Sequence, residues 1–163
     1  MSLEQYKKKR NFEKTTEPSG ASPRKKLSSK GKIKIVKGKK LIFVVHSHFA
    51  KRHHYDLRLE MSGVLKSWAV PKEPPKIKDV KRLAIQVEDH PIEYAKFHGI
   101  IPEGNYGAGK VEIWDTGFYE LKSQDEKKIE FVLHGKKLKG NYVLIKTSYG
   151  SKPEKSWLWF KTE

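Results

Sequence analysis

The chain has 163 residues, with 35 Lys and Arg against 19 Asp and Glu, and it contains no Cys. This length predicts one domain with a sizeable hydrophobic core. The lack of Cys excludes disulfides and thiolate metal sites, so any metal would need imidazole, carboxylate or water ligands. No apolar run of membrane-spanning length and no N-terminal signal pattern occurs, which predicts a cytoplasmic protein without a membrane partner.

Positive charge is concentrated at the start of the chain. Residues 1–40 hold 14 of the Lys and Arg and three Glu, and they lack apolar periodicity. We interpret them as a basic, partly ordered N-terminal arm, followed by a folded domain over residues 41–163. A basic arm is typical of a polyanion binder, because neutralising phosphates releases counterions. The alternative is a Lys-rich surface that serves solubility.

From residue 41 onward the pattern is that of short strands. Leu41–Val45 is apolar and predicts a buried strand, whereas Tyr55–Met61 alternates apolar and polar residues. A turn at Ser62-Gly63 joins the latter to the next strand in a hairpin. The strands predicted after this turn are Val64–Val70, Leu83–Val87, Lys110–Trp114, Phe118–Leu121, Lys128–Leu133, Asn141–Lys146 and Trp157–Lys161.

This count of strands, with no convincing amphipathic helix, predicts an all-β fold, a barrel or a sandwich. Residues 91–108 are Gly-rich and predict a long irregular loop. Loops of that length in a compact domain are usually functional. The glycines of Gly104–Lys110 match a phosphate-loop spacing, but Val111 stands where Ser or Thr is required and a strand follows, so we reject a phosphate loop here.

Histidines cluster in the first part of the predicted domain. Four of the seven lie between positions 46 and 54, and Asp56 and Arg58 follow directly. On a strand, His54, Asp56 and Arg58 share one face. With a second imidazole from the preceding loop they predict a two-His-one-carboxylate metal site, suited to Mn, Fe, Co or Zn. Arg58 is placed to hold a phosphate oxygen. The alternative is a solvated polar strand face.

A second candidate segment ends a predicted strand with Glu88, Asp89 and His90 before Pro91. A His at a strand end beside a long loop is a site candidate, and Tyr94 could reach the same place. Without other support, an acidic turn initiated by Pro91 is the favoured interpretation of this segment.

Two long segments resemble a known family. Phe43–Pro75 contains the pattern H-x5-H-x-D-x-R at His48, His54, Asp56 and Arg58, and Arg82–Asp115 contains VEDHPIEY and PEGNYGAGK. These segments, the arm segment Lys8–Pro18 and the final WLWFK are similar to the 3′-phosphoesterase module of bacterial and archaeal DNA ligase D. The resemblance covers nearly the whole chain.

The resemblance implies a compact single-domain β-barrel of about eight strands with a polar crevice. It implies a metal site at His48, His54 and Asp56, with Mn²⁺ preferred and Co²⁺ or Zn²⁺ as other candidates. Arg58 and His90 would contact the scissile phosphate, and a protonated His90 could serve as general acid. The remaining residues to which it implies supporting or substrate-binding roles are Tyr94, Lys72, Glu88, Arg10 and Glu17.

The activity implied by the resemblance is the removal of 3′-terminal ribonucleosides and 3′-phosphates from DNA or DNA–RNA primer-template ends, leaving a 3′-OH, in non-homologous end joining. A separately encoded ATP-dependent DNA ligase and a polymerase are then expected partners. Two alternatives stay open: a non-catalytic nucleic-acid-binding β-barrel that recruits a ligase, and a two-His-one-carboxylate iron oxygenase.

The chain departs from the family pattern at two positions. The family usually has Gln where this chain has His46, and Asp where it has Asn11. His46 is either an additional phosphate or metal contact or a tolerated polar replacement. Loss of the acid at Asn11 predicts a weaker contribution of the arm to the reaction.

Overall fold

The computed structural model describes residues 3–15, 17–18, 40–150 and 152–162. Within these ranges nine strands form one antiparallel sheet. They are β1 (Leu41–Phe49), β2 (His53–Met61), β3 (Val64–Val70), β4 (Lys81–His90), β5 (Gly99–Ile101), β6 (Gly109–Gln124), β7 (Lys128–His134), β8 (Lys139–Lys146) and β9 (Ser156–Lys161). The helical segments are α1 (Glu4–Lys8) and the 3₁₀ helices Ile92–Lys96 and Pro153–Lys155.

Eight of these strands close into a barrel in the order β1-β2-β3-β4-β9-β8-β7-β6, because β6 pairs back with β1. The short β5 pairs with β6. Closure leaves no unpaired edge among the eight strands, which is how antiparallel sheets avoid exposed backbone donors and acceptors. The predicted all-β barrel of about eight strands is confirmed.

The barrel interior is filled by alternate residues of the strands. In β2 the inward side chains are Leu57, Leu59 and Met61, while Asp56 and Arg58 point outward. Four further large aromatic side chains that fill the same core are Trp68, Tyr119, Phe131 and Trp159. The alternation predicted for β2 therefore sets which of its residues reach the site and which build the core.

The β2–β3 hairpin turns over two residues. Ser62 and Gly63 have φ values of 52° and 80°, the positive values of a type I′ turn, whose twist matches that of the flanking strands. The turn predicted at these residues is confirmed, and it fixes the register in which Arg58 pairs with Ser67.

The predicted break between Lys110–Trp114 and Phe118–Leu121 is wrong, since both belong to the continuous strand β6. Asp and Gly are common in turns, but Asp115 and Gly117 lie within the strand and have other roles there. Asp115 accepts main-chain hydrogen bonds from three consecutive residues, 136–138. A Cβ on Gly117 would lie 2.2 Å from the carbonyl oxygen of His134, so glycine is required by the close approach of β7.

A second hydrophobic cluster lies on the outside of the barrel. Helix α1, the 3₁₀ helix Ile92–Lys96 and β5 cover the outward faces of β1 and β3, and Tyr6, Val44, Leu65 and Tyr94 are buried between them. The prediction of an irregular loop over residues 91–108 is wrong in part, because this segment contains the 3₁₀ helix and β5. The helix α1 was missed because it buries Tyr6 alone, which leaves no periodic pattern to detect.

The described arm residues pack on the barrel, whereas most of the predicted arm, at residues 16 and 19–39, lies outside the described ranges. The division at residue 40 stays a prediction. Among the described residues, no helix has the length and apolar character to cross a membrane.

Candidate active site

The outward faces of β1 and β2 bring the predicted metal ligands together. His48 pairs with His54 across the two strands, and Asp56 is the next outward residue of β2. One ligand atom of each lies within 4.8 Å of the others. The second imidazole was expected from a loop, but β1 extends through Phe49, so His48 is held on a strand. All three candidate ligands therefore lie on paired strands, which position side chains more rigidly than a loop.

Main-chain carbonyls orient both imidazoles. Nε2 of His48 donates to the carbonyl oxygen of Gly107 at 2.7 Å, and Nδ1 of His54 donates to that of Arg52 at 3.1 Å. The opposite nitrogens, Nδ1 of His48 and Nε2 of His54, lie 3.7 and 3.4 Å from Oδ2 of Asp56. A carbonyl on the outer nitrogen of a ligating His is the usual device that fixes its tautomer.

Asp56 is buried at the centre of this group. Burial raises its pKa, but the Arg58 guanidinium and the adjacent His48 and His54 rings outweigh burial and hold the pKa of Asp56 well below its usual range. Burial likewise lowers the pKa of His54, while the hydrogen bond and charge of Asp56 outweigh it and raise that pKa. The carboxylate is therefore ionised at neutral pH.

This donor set fits a divalent transition metal. With the outer nitrogens carrying the hydrogens, two imidazole lone pairs and one carboxylate oxygen face the same point, which is unfavourable unless a cation or a proton lies between them. Two imidazoles and one carboxylate suit Mn, Fe, Co and Zn, and leave positions for water and substrate. His48, His54 and Asp56 are the residues that would hold the ion.

Arg58 lies next to the candidate metal ligands, and its guanidinium contacts both Asp56 and His46. Nη2 is 3.5 Å from Oδ2 of Asp56, and Nε donates to Nδ1 of His46 at 3.2 Å. Nε2 of His46 in turn donates to the carbonyl oxygen of Phe97 at 2.9 Å. His46 is fully buried, and burial together with Arg58 lowers its pKa to about 3. His46 is thus a neutral support for Arg58, with both ring nitrogens engaged.

His90 lies against the same guanidinium. Its Nδ1 is 2.9 Å from the carbonyl oxygen of Glu88 and 3.1 Å from Nη1 of Arg58, and its Nε2 is 3.4 Å from Nη2 of Arg10. Burial and the two guanidiniums hold the pKa of His90 well below its usual range. The free protein therefore disfavours the protonated His90 that a general acid requires, and keeps a neutral ring between two cations.

The arm closes the site through a network of buried charges. Nε of Arg10 donates to Glu17 at 2.8 Å, and Nη1 of Arg10 donates to Glu88 at 3.2 Å. The Tyr94 hydroxyl donates to Glu17 at 2.6 Å. The Arg10 guanidinium also lies 4.0 Å from the ring centre of Tyr6. Arg10, Glu17, Glu88 and Tyr94 therefore contact one another and dock the arm beside His90, while the substrate-binding and supporting roles expected of them stay predictions.

The structure does not join Lys72 or Asn11 to this group. Lys72 is exposed two residues after the end of β3, and among the described residues no ion pair or hydrogen bond links it to the other candidates. Because Val70 pairs with Tyr55, Lys72 lies at the same end of the barrel as His54. Asn11 is exposed and its Oδ1 accepts the main-chain N–H of Glu13, which stabilises a turn of the arm.

Sequence reasoning missed several groups that contact the site. Ser67 Oγ lies 3.2 Å from Nδ1 of His90, and its pairing with Arg58 in the predicted hairpin is a signal that could have found it. Tyr6 packs edge-on against His90 with ring centres 5.0 Å apart. The main-chain carbonyls of Gly107 and Phe97 could not be predicted as contacts, because every residue has a carbonyl and the sequence does not distinguish these two.

The comparisons with known proteins agree with this geometry. The family model of the DNA Ligase D 3′-phosphoesterase domain matches residues 46–146. The chain is 45% identical over 163 residues to the multifunctional non-homologous end joining protein LigD of Pseudomonas aeruginosa, covering 97% of this chain and 18% of that protein. For LigD of Mycolicibacterium smegmatis the identity is 49% over 127 residues, covering 71% and 16%.

A third relative is the multifunctional non-homologous end joining DNA repair protein LigD of Mycobacterium tuberculosis, 45% identical over 150 residues, which are 90% of this chain and 18% of that protein. The resemblance found from the sequence is confirmed. The chain spans less than about a fifth of the length of these relatives, so their other activities are not carried over by the match.

Proposed function

Because the chain belongs to the DNA Ligase D 3′-phosphoesterase domain family, we propose that it is a metal-dependent 3′-phosphoesterase that processes nucleic acid ends in non-homologous end joining. It removes a 3′-terminal ribonucleoside by cleaving a phosphodiester and then removes the remaining 3′-phosphate, leaving a 3′-OH. The observation that supports this most directly is the convergence of His48, His54 and Asp56 beside the buried guanidinium of Arg58.

The proposed ion is Mn²⁺, with Co²⁺ or Zn²⁺ as substitutes, because the site offers nitrogen and oxygen donors and no sulfur. A divalent ion there supplies Lewis acidity toward a phosphoryl oxygen and activates water. Asp56 is already ionised at neutral pH, so the ion need not displace a proton from it. The carbonyls that accept from His48 and His54 leave one lone pair of each ring directed to the ion. The carboxylate is thus available to a cation at neutral pH, and because the pKa of His54 is raised, protons compete with the ion for that ring.

Arg58 and its neighbours hold the phosphate. The guanidinium of Arg58 contacts the carboxylate of Asp56. The same carboxylate is a proposed metal ligand. With Asp56 engaged by a bound ion, the charge of Arg58 would no longer be balanced, so the guanidinium would attract a phosphate and stabilise the charge that develops on it in the transition state. Neutral His90 and His46 contact the guanidinium from two sides and restrict its orientation.

The terminal nucleoside has a place beside the metal ligands. A groove of about 980 Å³ runs between the β1–β2 hairpin tip and the loop after β5, and His54 lies in its wall. Lys51 and Arg52 at the hairpin tip are exposed and cationic, which favours a nucleic acid backbone without selecting a sequence. Lys72, at the same end of the barrel, is a candidate for a further phosphate contact. We expect a preference for a recessed 3′ end.

The 3′-OH that the reaction leaves is what a polymerase extends and an ATP-dependent DNA ligase seals, so we propose enzymes of these two kinds as partners. A cytoplasmic location stays a prediction.

The test uses a 5′-labelled DNA primer with one 3′-terminal ribonucleotide, annealed to a longer template. With Mn²⁺ we expect shortening to a 3′-phosphate and then a 3′-OH, and no product with EDTA. His54→Ala removes one ligand and should lower the rate by more than about 100-fold, since even outer-shell changes cost about 10–100-fold. His134→Ala is the control, because His134 is exposed on β7 and pairs with Glu120.

A primer that is retained in a gel shift but stays uncut with every divalent ion would overturn the proposal in favour of a non-catalytic binding barrel. Equal loss of activity in both His variants would instead place the chemistry elsewhere.

A further inference from the structure

We propose that the main-chain carbonyl of Gly107 is a positioning group of the metal site, which sets the tautomer of His48 so that its Nδ1 is directed to the ion. The inference rests on the metal dependence proposed above. The glycine-rich loop over residues 102–109 would then contribute to metal affinity. It would do so through a main-chain carbonyl and not through a side chain or a phosphate-loop motif.

The contact is short and selects one tautomer. Nε2 of His48 lies 2.7 Å from the Gly107 carbonyl oxygen, and a carbonyl only accepts, so Nε2 carries the hydrogen. Nδ1 then keeps its lone pair and faces Oδ2 of Asp56 at 3.7 Å. Without this acceptor an imidazole in water populates both tautomers, and the fraction with the hydrogen on Nδ1 cannot bind the ion through that nitrogen.

Glycine is required for the carbonyl to point this way. Gly107 has φ of +73°, a left-handed conformation that other residues adopt at a cost. A Cβ at this position would lie 3.4 Å from Cε1 of His48, an ordinary van der Waals contact, so the strain of a substitution comes from φ. A side chain at residue 107 therefore favours a backbone rotation that withdraws the carbonyl from His48.

The loop that carries Gly107 is held from the other side by the arm. The Tyr106 ring lies 4.9 Å from Nζ of Lys9 and 5.3 Å from the guanidinium carbon of Arg10. Nδ2 of Asn105 donates to the carbonyl oxygen of Lys14 at 3.3 Å. The loop is thus fixed between the docked arm and the metal ligand, which restrains the position of the carbonyl.

The loop contains its own control. Gly104 also has a left-handed φ, of +88°, but a Cβ there would meet no atom within 4 Å. Gly104→Ala and Gly107→Ala therefore introduce the same kind of backbone strain into the same loop, while only the second acts beside His48. Their comparison separates tautomer control from general loop strain.

The experiment measures Mn²⁺ binding to the purified full chain by the loss of the free Mn²⁺ signal in electron paramagnetic resonance. We expect Gly107→Ala to weaken binding about 10–100-fold, the usual effect of losing an outer-shell partner, and Gly104→Ala to change it by less than about 3-fold. Equal weakening in both variants, or wild-type affinity in Gly107→Ala, contradicts the inference. Wild-type protein that binds no Mn²⁺ contradicts the metal proposal instead.

A second measurement does not depend on the variants folding. Imidazole ¹⁵N spectra of the metal-free wild-type protein, with the His48 signals identified by their loss in His48→Gln, should show the hydrogen on Nε2. A His48 ring with its hydrogen on Nδ1 overturns the inference, whatever the variants do.

Discussion

Arg58 and His46 form a buried hydrogen bond in which the guanidinium donates and a neutral imidazole accepts, over 3.2 Å. The other ring nitrogen of His46 donates to the carbonyl oxygen of Phe97, just after the 3₁₀ helix Ile92–Lys96, so the ring is held at both nitrogens. His46, one of the two residues at which this chain departs from the family pattern, is therefore hydrogen-bonded to Phe97 and Arg58 and not to the candidate metal ligands. It holds the guanidinium that is proposed to contact phosphate.

Replacing His46 by Leu should impair Arg58. The Nε–H of Arg58 would be buried without an acceptor, which costs about 1–3 kcal/mol and lets the guanidinium shift. We expect a roughly 10-fold or larger fall in kcat, with Mn²⁺ affinity unchanged. His46→Gln, which keeps an acceptor and a donor, is the control and should retain most of the activity. Equal rates for Leu and Gln would show that the hydrogen bond is irrelevant to turnover.

Asp56→Asn should abolish the stabilisation of the fold by Mn²⁺. A ligand at 100 times its Kd stabilises a protein by about 2.7 kcal/mol, and the neutral amide of this variant lacks the charge that holds a divalent ion. We expect Mn²⁺ to raise the Tm of the wild-type protein and of Asp79→Asn, an exposed control, but not that of Asp56→Asn. A similar rise in all three proteins would show that the ion binds elsewhere.

Arg10→Ala should undock the arm. Arg10 makes ion pairs with the buried carboxylates of Glu17 and Glu88, and removing one partner of a buried pair costs up to about 3–5 kcal/mol. We expect faster hydrogen exchange in residues 4–8, where Tyr6 is buried, and a smaller change in the barrel. Lys8→Ala, at an exposed position of α1, is the control. Unchanged exchange in Arg10→Ala would mean that the apolar contacts of Tyr6 suffice to dock the arm.

Acid should undock the arm through Glu88. Burial raises the pKa of Glu88, but Lys9 and Arg10 outweigh burial and the pKa lies below its usual value. A carboxyl whose pKa is lower in the folded state stabilises that state above the unfolded pKa, about 4.3. The stabilisation is lost as the pH falls through the lower folded pKa. The protection of the amides of residues 4–8, corrected for the pH dependence of the intrinsic exchange rate, should therefore fall on acidification below about pH 4.

Glu88→Gln isolates this contribution. Neighbouring Asp89 has a pKa raised by burial and so responds to acid with the opposite sign, but it is present in both proteins. We expect Glu88→Gln to show faster exchange in residues 4–8 at neutral pH already, and a weaker acid dependence than the wild-type protein. Glu154→Gln, at an exposed position, is the control. Parallel acid profiles for Glu88→Gln and wild type would assign the arm's acid response to other titratable groups, among them His90 beside Arg10.

Much of this protein can be predicted from the sequence, because strand alternation is a local property. The pattern of Tyr55–Met61 placed Asp56 and Arg58 on one face and Leu57 and Leu59 in the core, as the structure has them. The Ser62-Gly63 turn followed from residue type alone. The spacing of His54, Asp56 and Arg58 predicted that they share one face for the same reason, because a period of two needs no knowledge of the rest of the chain.

What only the tertiary structure decided is which groups meet across long distances in the chain. His48 belongs to β1 because β6 closes the barrel on it, and its tautomer depends on a carbonyl 59 residues away. Arg10 meets Glu88 across 78 residues, and His46 meets Phe97 across 51. These contacts are made by main-chain carbonyls and by charges that satisfy one another on burial, and neither leaves a periodic signal in the sequence, because each depends on where the closed barrel places its partner.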